Sequence, residues 1–144
     1  METFSKILSA NDVGTTGAHQ AGIYIPKSQV ELLSILPSLD GLMKNPDAWV
    51  ECLDENKELH NFRFIYYNNK YHDEGGTRDE YRITRMTRYF KQAFACEGDS
   101  FQISKCEKTL HYLIKILKTE KNNVIDVEED GVRIRIKSGW TRLH

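Results

Sequence analysis

The sequence predicts a mainly β domain with one or two short helices, its strands forming a mixed barrel or sandwich. Three observations carry this. Short runs of aromatic, β-branched and other apolar residues recur along the chain, punctuated by Gly-, Asn- and Asp-rich turns. Most runs alternate apolar with polar residues, the period of a half-buried strand. The chain has 144 residues, 40% of them apolar, which suits a single domain over 1–144 with one core.

The elements follow in order. Residues 4–8 (FSKIL) read as the first strand. Residues 9–20 (SANDVGTTGAHQ) are dense in turn-forming polar residues and read as loop. Residues 21–26 (AGIYIP) make a short strand closed by Pro26. Ser28-Gln29-Val30-Glu31 has the form of a capping box, and Val30, Leu32, Leu33, Ile35 and Leu36 suit a short helix ending near Pro37. Residues 48–53 and 62–67 alternate and are rich in β-formers. Asn68-Asn69 and Gly75-Gly76 mark the next loop, after which 81–86 and 99–104 read as strands. Residues 109–118 (TLHYLIKILK) fit two periods. Leu110, Tyr112, Ile114 and Ile116 alternate, while Cys106, Leu110, Leu113, Ile114 and Leu117 have helical spacing; the company of strands favours a strand. Residues 124–127 and 132–136 flank Glu129-Asp130-Gly131, a hairpin signal. From these candidates a barrel of about seven to eight strands is expected.

Composition narrows the function. Lys and Arg number 20 against 21 Asp and Glu, a net charge of −1, which disfavours a non-specific coat for polyanions or membranes. No apolar run reaches the ~18 residues of a membrane-spanning helix. The first residues, METFSK, lack the apolar stretch of a secretory signal, so a cytoplasmic location is expected. Cys52, Cys96 and Cys106 are odd in number and form no C-x-x-C, so they read as packed thiols rather than a disulfide or zinc framework. His19, His60, His72, His111 and His144 form no H-E-x-x-H, and no phosphate-binding glycine motif is present. Neither a metal, a cofactor nor a catalytic residue is expected. Pro46-Asp47 followed by Glu55-Asn56-Lys57 imitates the arrangement with which nucleases place two carboxylates and a lysine around Mg²⁺. The parts lie too close, and Glu55-Asn56-Lys57 reads as a turn, so a Mg-dependent nuclease is the weakest reading.

Two constellations remain. The first is the loop 9–20, with Ser9, Asn11, Asp12, Thr15, Thr16, His19 and Gln20 interleaved with Gly14 and Gly17. It is long for a plain connector. Polar loops on a rigid β scaffold commonly present a binding surface, and glycines let the backbone approach a ligand. The second is 75–91 (GGTRDEYRITRMTRYFK), where Arg78, Arg82, Arg85, Arg88 and Lys91 face only Asp79 and Glu80. In a strand, Arg78, Glu80, Arg82 and Thr84 share a face. Arginine grips guanine or phosphate bidentately, and a carboxylate between arginines can accept from the cytosine amino group. A β domain whose arginine strand binds an acidic protein partner is the alternative from the residues alone.

Both constellations occur together, in this order, in one family. Residues 8–26 (LSANDVGTTGAHQAGIYIP), then 65–69 (IYYNN) and 76–85 (GTRDEYRITR), resemble the N-terminal effector domain of EcoRII-like restriction endonucleases. The likeness fades beyond Arg88. It implies a DNA-binding pseudobarrel, similar to plant transcription-factor domains, with two arms that clamp the major groove. The first arm would carry Ser9, Asn11, Asp12, Thr15, Thr16 and His19, with Tyr24 behind it. The second would carry Thr77, Arg78, Asp79, Glu80, Arg82 and nearby Arg85. Arg85, Arg88 and Lys6 would hold phosphates. The implied ligand is double-stranded DNA containing a CCWGG-like site (W is A or T), bound by a monomer without cofactor. The implied setting is a restriction–modification system in which a linked nuclease domain does the cutting.

Overall fold

The computed structural model describes residues 2–14, 22–105, 107–119 and 139–143. Among these, eight strands form one sheet, joined by two short α-helices and one 3-10 turn. The strands are β1 (Glu2–Ile7), β2 (Ile23–Ile25), β3 (Asp47–Leu53), β4 (Leu59–Tyr67), β5 (Glu80–Thr84), β6 (Ser100–Lys105), β7 (Tyr112–Leu117) and β8 (Trp140–Leu143). The helices are α1 (Val30–Ile35) and α2 (Thr87–Gln92), with the 3-10 turn at Asn69–Tyr71. The order across the sheet is β2-β5-β4-β3-β7-β6-β1-β8. Neighbours are antiparallel except β3 and β7, which run parallel. The two ends of the sheet approach each other, and the Trp140 indole N–H donates to the Tyr24 carbonyl at 3.0 Å. This bond joins β8 to β2 and nearly closes the sheet into a barrel.

The alternation read from the sequence places the core. Phe62 and Phe64 on β4, Phe101 and Ile103 on β6, Phe4 on β1 and Ile83 on β5 all point inward. Leu32 and Leu36 from α1 and Met86, Tyr89 and Phe90 around α2 enter the same cluster. Tyr89 packs edge-on against Phe101, and Phe101 edge-on against Trp140, the arrangement the aromatic quadrupole favours.

Several expectations need correction. The segment after β5 does not continue as a strand to Met86. Arg85 turns the chain at φ 63°, and residues 87–92 coil into α2, because Met86, Tyr89 and Phe90 sit at helical spacing and reach the core together. The capping box is not formed: α1 is capped by Gln29, no side chain bonds its first turn, and the Gln29 N–H donates to the Pro26 carbonyl instead. Strand β8 was not anticipated. Segment 109–118 is a strand, confined to β7, as alternation predicted. The predicted hairpin at 124–136 and Cys106 lie outside the described residues.

The nuclease-like motif is dismantled by geometry. Asp47 begins β3, while Glu55 follows its far end, more than about 20 Å away for an extended strand of this length. Asp47 pairs with Arg63, and Glu55-Asn56-Lys57 forms the β3–β4 hairpin, with Lys57 at φ 63°. Glu55 accepts from the Tyr89 hydroxyl and the Ile116 N–H, bracing α2 and β7 against that hairpin. Asp54, Glu58 and His60 converge within 4.8 Å of one another. Asp54 is committed, however, to the Asn56 and Glu58 N–H groups and to the buried His60 ring.

Candidate nucleic-acid interface

The outer face of β2, β5, β4 and β3 carries the site, and register decides what stands on it. Tyr24 lies opposite Arg82, and Arg82 opposite Ile65. One step along, Thr84 lies opposite Arg63, and Arg63 opposite Trp49. The other way, Glu80 lies opposite Tyr67. An alternating strand presents every second residue to one side, so Glu80, Arg82 and Thr84 share this face, as the sequence indicated. They border a cleft of about 460 Å³ lined by Asn11, Gly22, Arg63, Tyr67, Arg78, Arg82, Thr84 and Arg85. Four arginines from two strands and two flanking turns therefore open into one concavity, facing the root of the 9–14 loop.

Within the cleft two of the arginines lie over tyrosine rings. The Arg78 guanidinium lies 3.6 Å from the Tyr67 ring centroid and donates through Nε and Nη2 to Glu80 Oε1, at 3.0 and 2.7 Å. Arg82 lies 5.8 Å from the Tyr24 ring and pairs with Glu80 Oε2 at 3.4 Å. That contact runs through the buried Arg82 Nε, which faces the Glu80 carboxylate without hydrogen-bond geometry. Glu80 thus sits between two arginines, each of which keeps most of its five donors for something else.

The second arm, residues 68–79, is stapled to the barrel at its root. Asn69 Oδ1 accepts from the Arg78 N–H at 2.7 Å, and the Lys70 N–H donates to the Arg78 carbonyl at 3.1 Å. Gly76 lies so close to Asn69 that a Cβ there would stand 2.2 Å from its carbonyl oxygen. Asp79 accepts from the Tyr66 hydroxyl at 2.5 Å and the Tyr71 hydroxyl at 2.9 Å, and pairs with Lys27. The Lys27 ammonium and the tyrosine hydroxyls pull the Asp79 carboxyl down to about 2, and Asp79 in turn raises the pKa of Lys27. The Tyr66 ring stacks on Tyr81 at 4.4 Å, fixing β4 against β5 at the base of the arm.

The first arm is anchored in a similar way. Ser9 N–H donates to Asp12 Oδ2 at 3.0 Å, and Asp12 N–H to Ser9 Oγ at 3.1 Å. The same Asp12 oxygen pairs with Lys6, and both side chains are buried. Lys6 is therefore an internal tie, not the surface phosphate contact expected of it. At the return of the loop, Gly22 donates to the Asp12 carbonyl, and its Cα runs against the Ile83 carbonyl with no room for a Cβ.

The structure brings Asn11, Arg78, Arg82 and Arg85 to the cleft, with Glu80 between two of its arginines and Tyr24 beside Arg82. Thr77 is exposed on the second arm. Ser9, Asp12 and Asp79 spend their polar groups on holding the arms. Arg88 is exposed on α2, outside the cleft lining. Thr15, Thr16 and His19 lie outside the described residues. Sequence reading missed Arg63, Tyr67 and Trp49 on the sheet, and the Lys27–Asp79 tie. Alternation on β4 sets Arg63 and Tyr67 opposite Phe62, Phe64 and Tyr66, and that signal would have placed them outward.

Comparison with known proteins adds an independent line. The family described as restriction endonuclease EcoRII, N-terminal, matches residues 1–98, which contain every residue lining the cleft. The chain is 41% identical over 90 residues to the type II restriction enzyme EcoRII of Escherichia coli, an alignment covering 57% of this chain. The chain spans only 20% of that relative's length. In three dimensions it resembles the Arabidopsis FUS3–DNA complex, with a TM-score of 0.63 at 18% identity, over 83% of this chain and 100% of that one. This second likeness extends the shared barrel beyond residue 98, where the family match ends.

Proposed function

The chain belongs to the family of the restriction endonuclease EcoRII N-terminal domain, and from that premise we propose that it binds double-stranded DNA sequence-specifically, its two arms entering the major groove. The observation that carries this reading is the arginine-lined cleft between the arms, with Glu80 between Arg78 and Arg82. The major groove shows guanine as two acceptors, O6 and N7, and cytosine as an amino donor. Arg78 and Arg82 match guanine, and Glu80 matches cytosine, so the triad suits a G·C-bounded word such as CCWGG. Asn11, Thr15, Thr16 and His19 on the first arm supply side chains that donate and accept, with Tyr24 steadying Arg82. Thr77 adds a hydroxyl at the second arm. Arg85 and Arg88 serve phosphates, which set register without reading sequence. Ser9, Asp12 and Asp79 act beneath the surface by fixing the arms.

Two unlike arms on one barrel read a nearly symmetric word asymmetrically, so a monomer suffices. The great length of the E. coli relative fits a division of labour in which this domain recognises and a linked nuclease domain cuts, in the cytoplasm. The domain itself contributes no catalytic group or cofactor in this reading.

Fluorescence anisotropy with a CCWGG duplex and a permuted duplex, with and without Mg²⁺, tests the proposal. Mg-independent preference for CCWGG supports it. Mg-dependent cleavage would reinstate a nuclease, and absence of binding to either duplex would leave a protein partner as the ligand.

A further inference from the structure

We infer that Trp49 and Arg63 join Arg85 in a third DNA contact, a sequence-blind seat for the sugar–phosphate backbone on the sheet between the two arms. This rests on the proposed DNA reading and deepens it. Trp49 on β3 stands opposite Arg63 on β4, and Arg63 opposite Thr84 on β5, so the three make one row across the sheet. Arg85 follows Thr84 at φ 63°, a left-handed turn that takes it out of the strand's alternation. Its guanidinium lies 5.6 Å from the Trp49 ring.

The chemistry of the row differs from that of the arms. Trp49 is 59% exposed on a sheet face, with an arginine over its ring as its one described aromatic-ring partner. Arg63 pairs with Asp47 at 2.6 Å, but both side chains are partly exposed, and such pairs contribute little and exchange readily. The row therefore offers two cations and one aromatic face, and the carboxylate beside it, Asp47, is already engaged by Arg63. That set suits phosphates and the apolar face of deoxyribose. It carries no group matched to cytosine or adenine edges.

Position points the same way. Four residue steps along β5 lead from Glu80 to Thr84, about 13 Å of extended chain. At 3.4 Å per nucleotide along a strand that is about four steps of duplex. A duplex laid along β5 and held at Glu80 and Arg82 would carry its backbone over the Arg63 row.

The test uses Arg63→Ala, Arg85→Ala and Trp49→Phe in the whole chain. Affinity is titrated against salt for CCWGG and permuted duplexes. Each arginine variant is expected to weaken both duplexes by the same factor and to lower the salt slope by about 0.9, one phosphate each. Arg63→Lys should restore the slope. The chain has two tryptophans, Trp49 exposed and Trp140 buried. Duplex should therefore quench emission in the parent chain and not in Trp49→Phe. Unchanged slopes and affinities, with the parent chain still preferring CCWGG, would overturn the third contact and leave the two-arm reading standing. Loss confined to CCWGG would also overturn it, making these residues base readers. A parent chain without sequence preference, but with the slope loss intact, would sink the two-arm reading and support the seat.

Discussion

Asp79→Asn is the sharpest single perturbation of the second arm. The carboxylate receives two tyrosine hydroxyls and the Lys27 ammonium, and these hold its pKa at about 2 rather than 3.8. A carboxyl held that low contributes at most ~2.5 kcal/mol of stability at neutral pH. Lys27 is nearly half exposed, so solvent screening trims this to about 1–2 kcal/mol. Asparagine keeps the shape and one acceptor but not the charge. The variant should melt roughly 3–8 °C lower at pH 7, given the heat and entropy of unfolding of a domain this size. Because the folded pKa is depressed, the stabilisation is complete above the unfolded value near 3.8 and is lost as pH falls through the folded value near 2. The gap between parent and variant, followed by circular dichroism, should therefore stay constant from pH 7 to about 5 and close between about 4 and 2. Duplex affinity at pH 7 should fall several-fold, since the arm carrying Arg78 loses its tie. Equal melting at pH 7, or a gap undiminished at pH 2.5, would refute the electrostatic staple.

Other outcomes follow from the same geometry. Gly76→Ala places a methyl against the Asn69 carbonyl, so the second arm must shift; calorimetry should show a folded domain and anisotropy a loss of CCWGG binding exceeding tenfold. Arg82→Ala and Glu80→Ala should each cost CCWGG binding about 1–3 kcal/mol while affecting permuted duplexes much less; equal losses would make them backbone contacts. The Cys52 thiol, buried and pushed up to about 12, should resist alkylation at pH 8 while exposed Cys96 reacts, as read by peptide mass spectrometry.

What the sequence disclosed divides along physical lines. Strands β1 and β3 to β7 were legible because half-buried strands repeat every two residues, and the alternation in FRFIYY or SFQISK is strong. Helix α2 was obscured by its basic residues: Arg88 and Lys91 drew attention to charge, while Met86, Tyr89 and Phe90 carried the helical spacing. Strand β8 buries one large apolar residue, Trp140, and its place beside β1 comes from pairing, which no local pattern encodes. The Arg78–Glu80–Arg82 triad was visible, because alternation alone puts Arg82 and Glu80 on one face. The commitment of Asp12, Ser9 and Asp79 to internal ties was not, since it depends on Lys6, Lys27, Tyr66 and Tyr71 arriving from elsewhere in the chain. Arg63 and Trp49 were missed for a related reason: only the register of β3, β4 and β5 brings them into line with Thr84 and Arg85.

Selection of bound duplexes from a random-sequence pool, at moderate ionic strength and without Mg²⁺, probes the central claim most directly. The account predicts rapid enrichment of one short word bounded by G·C pairs, CCWGG or a close variant, and loss of that enrichment in Arg82→Ala. A bound pool as random as the input would contradict it.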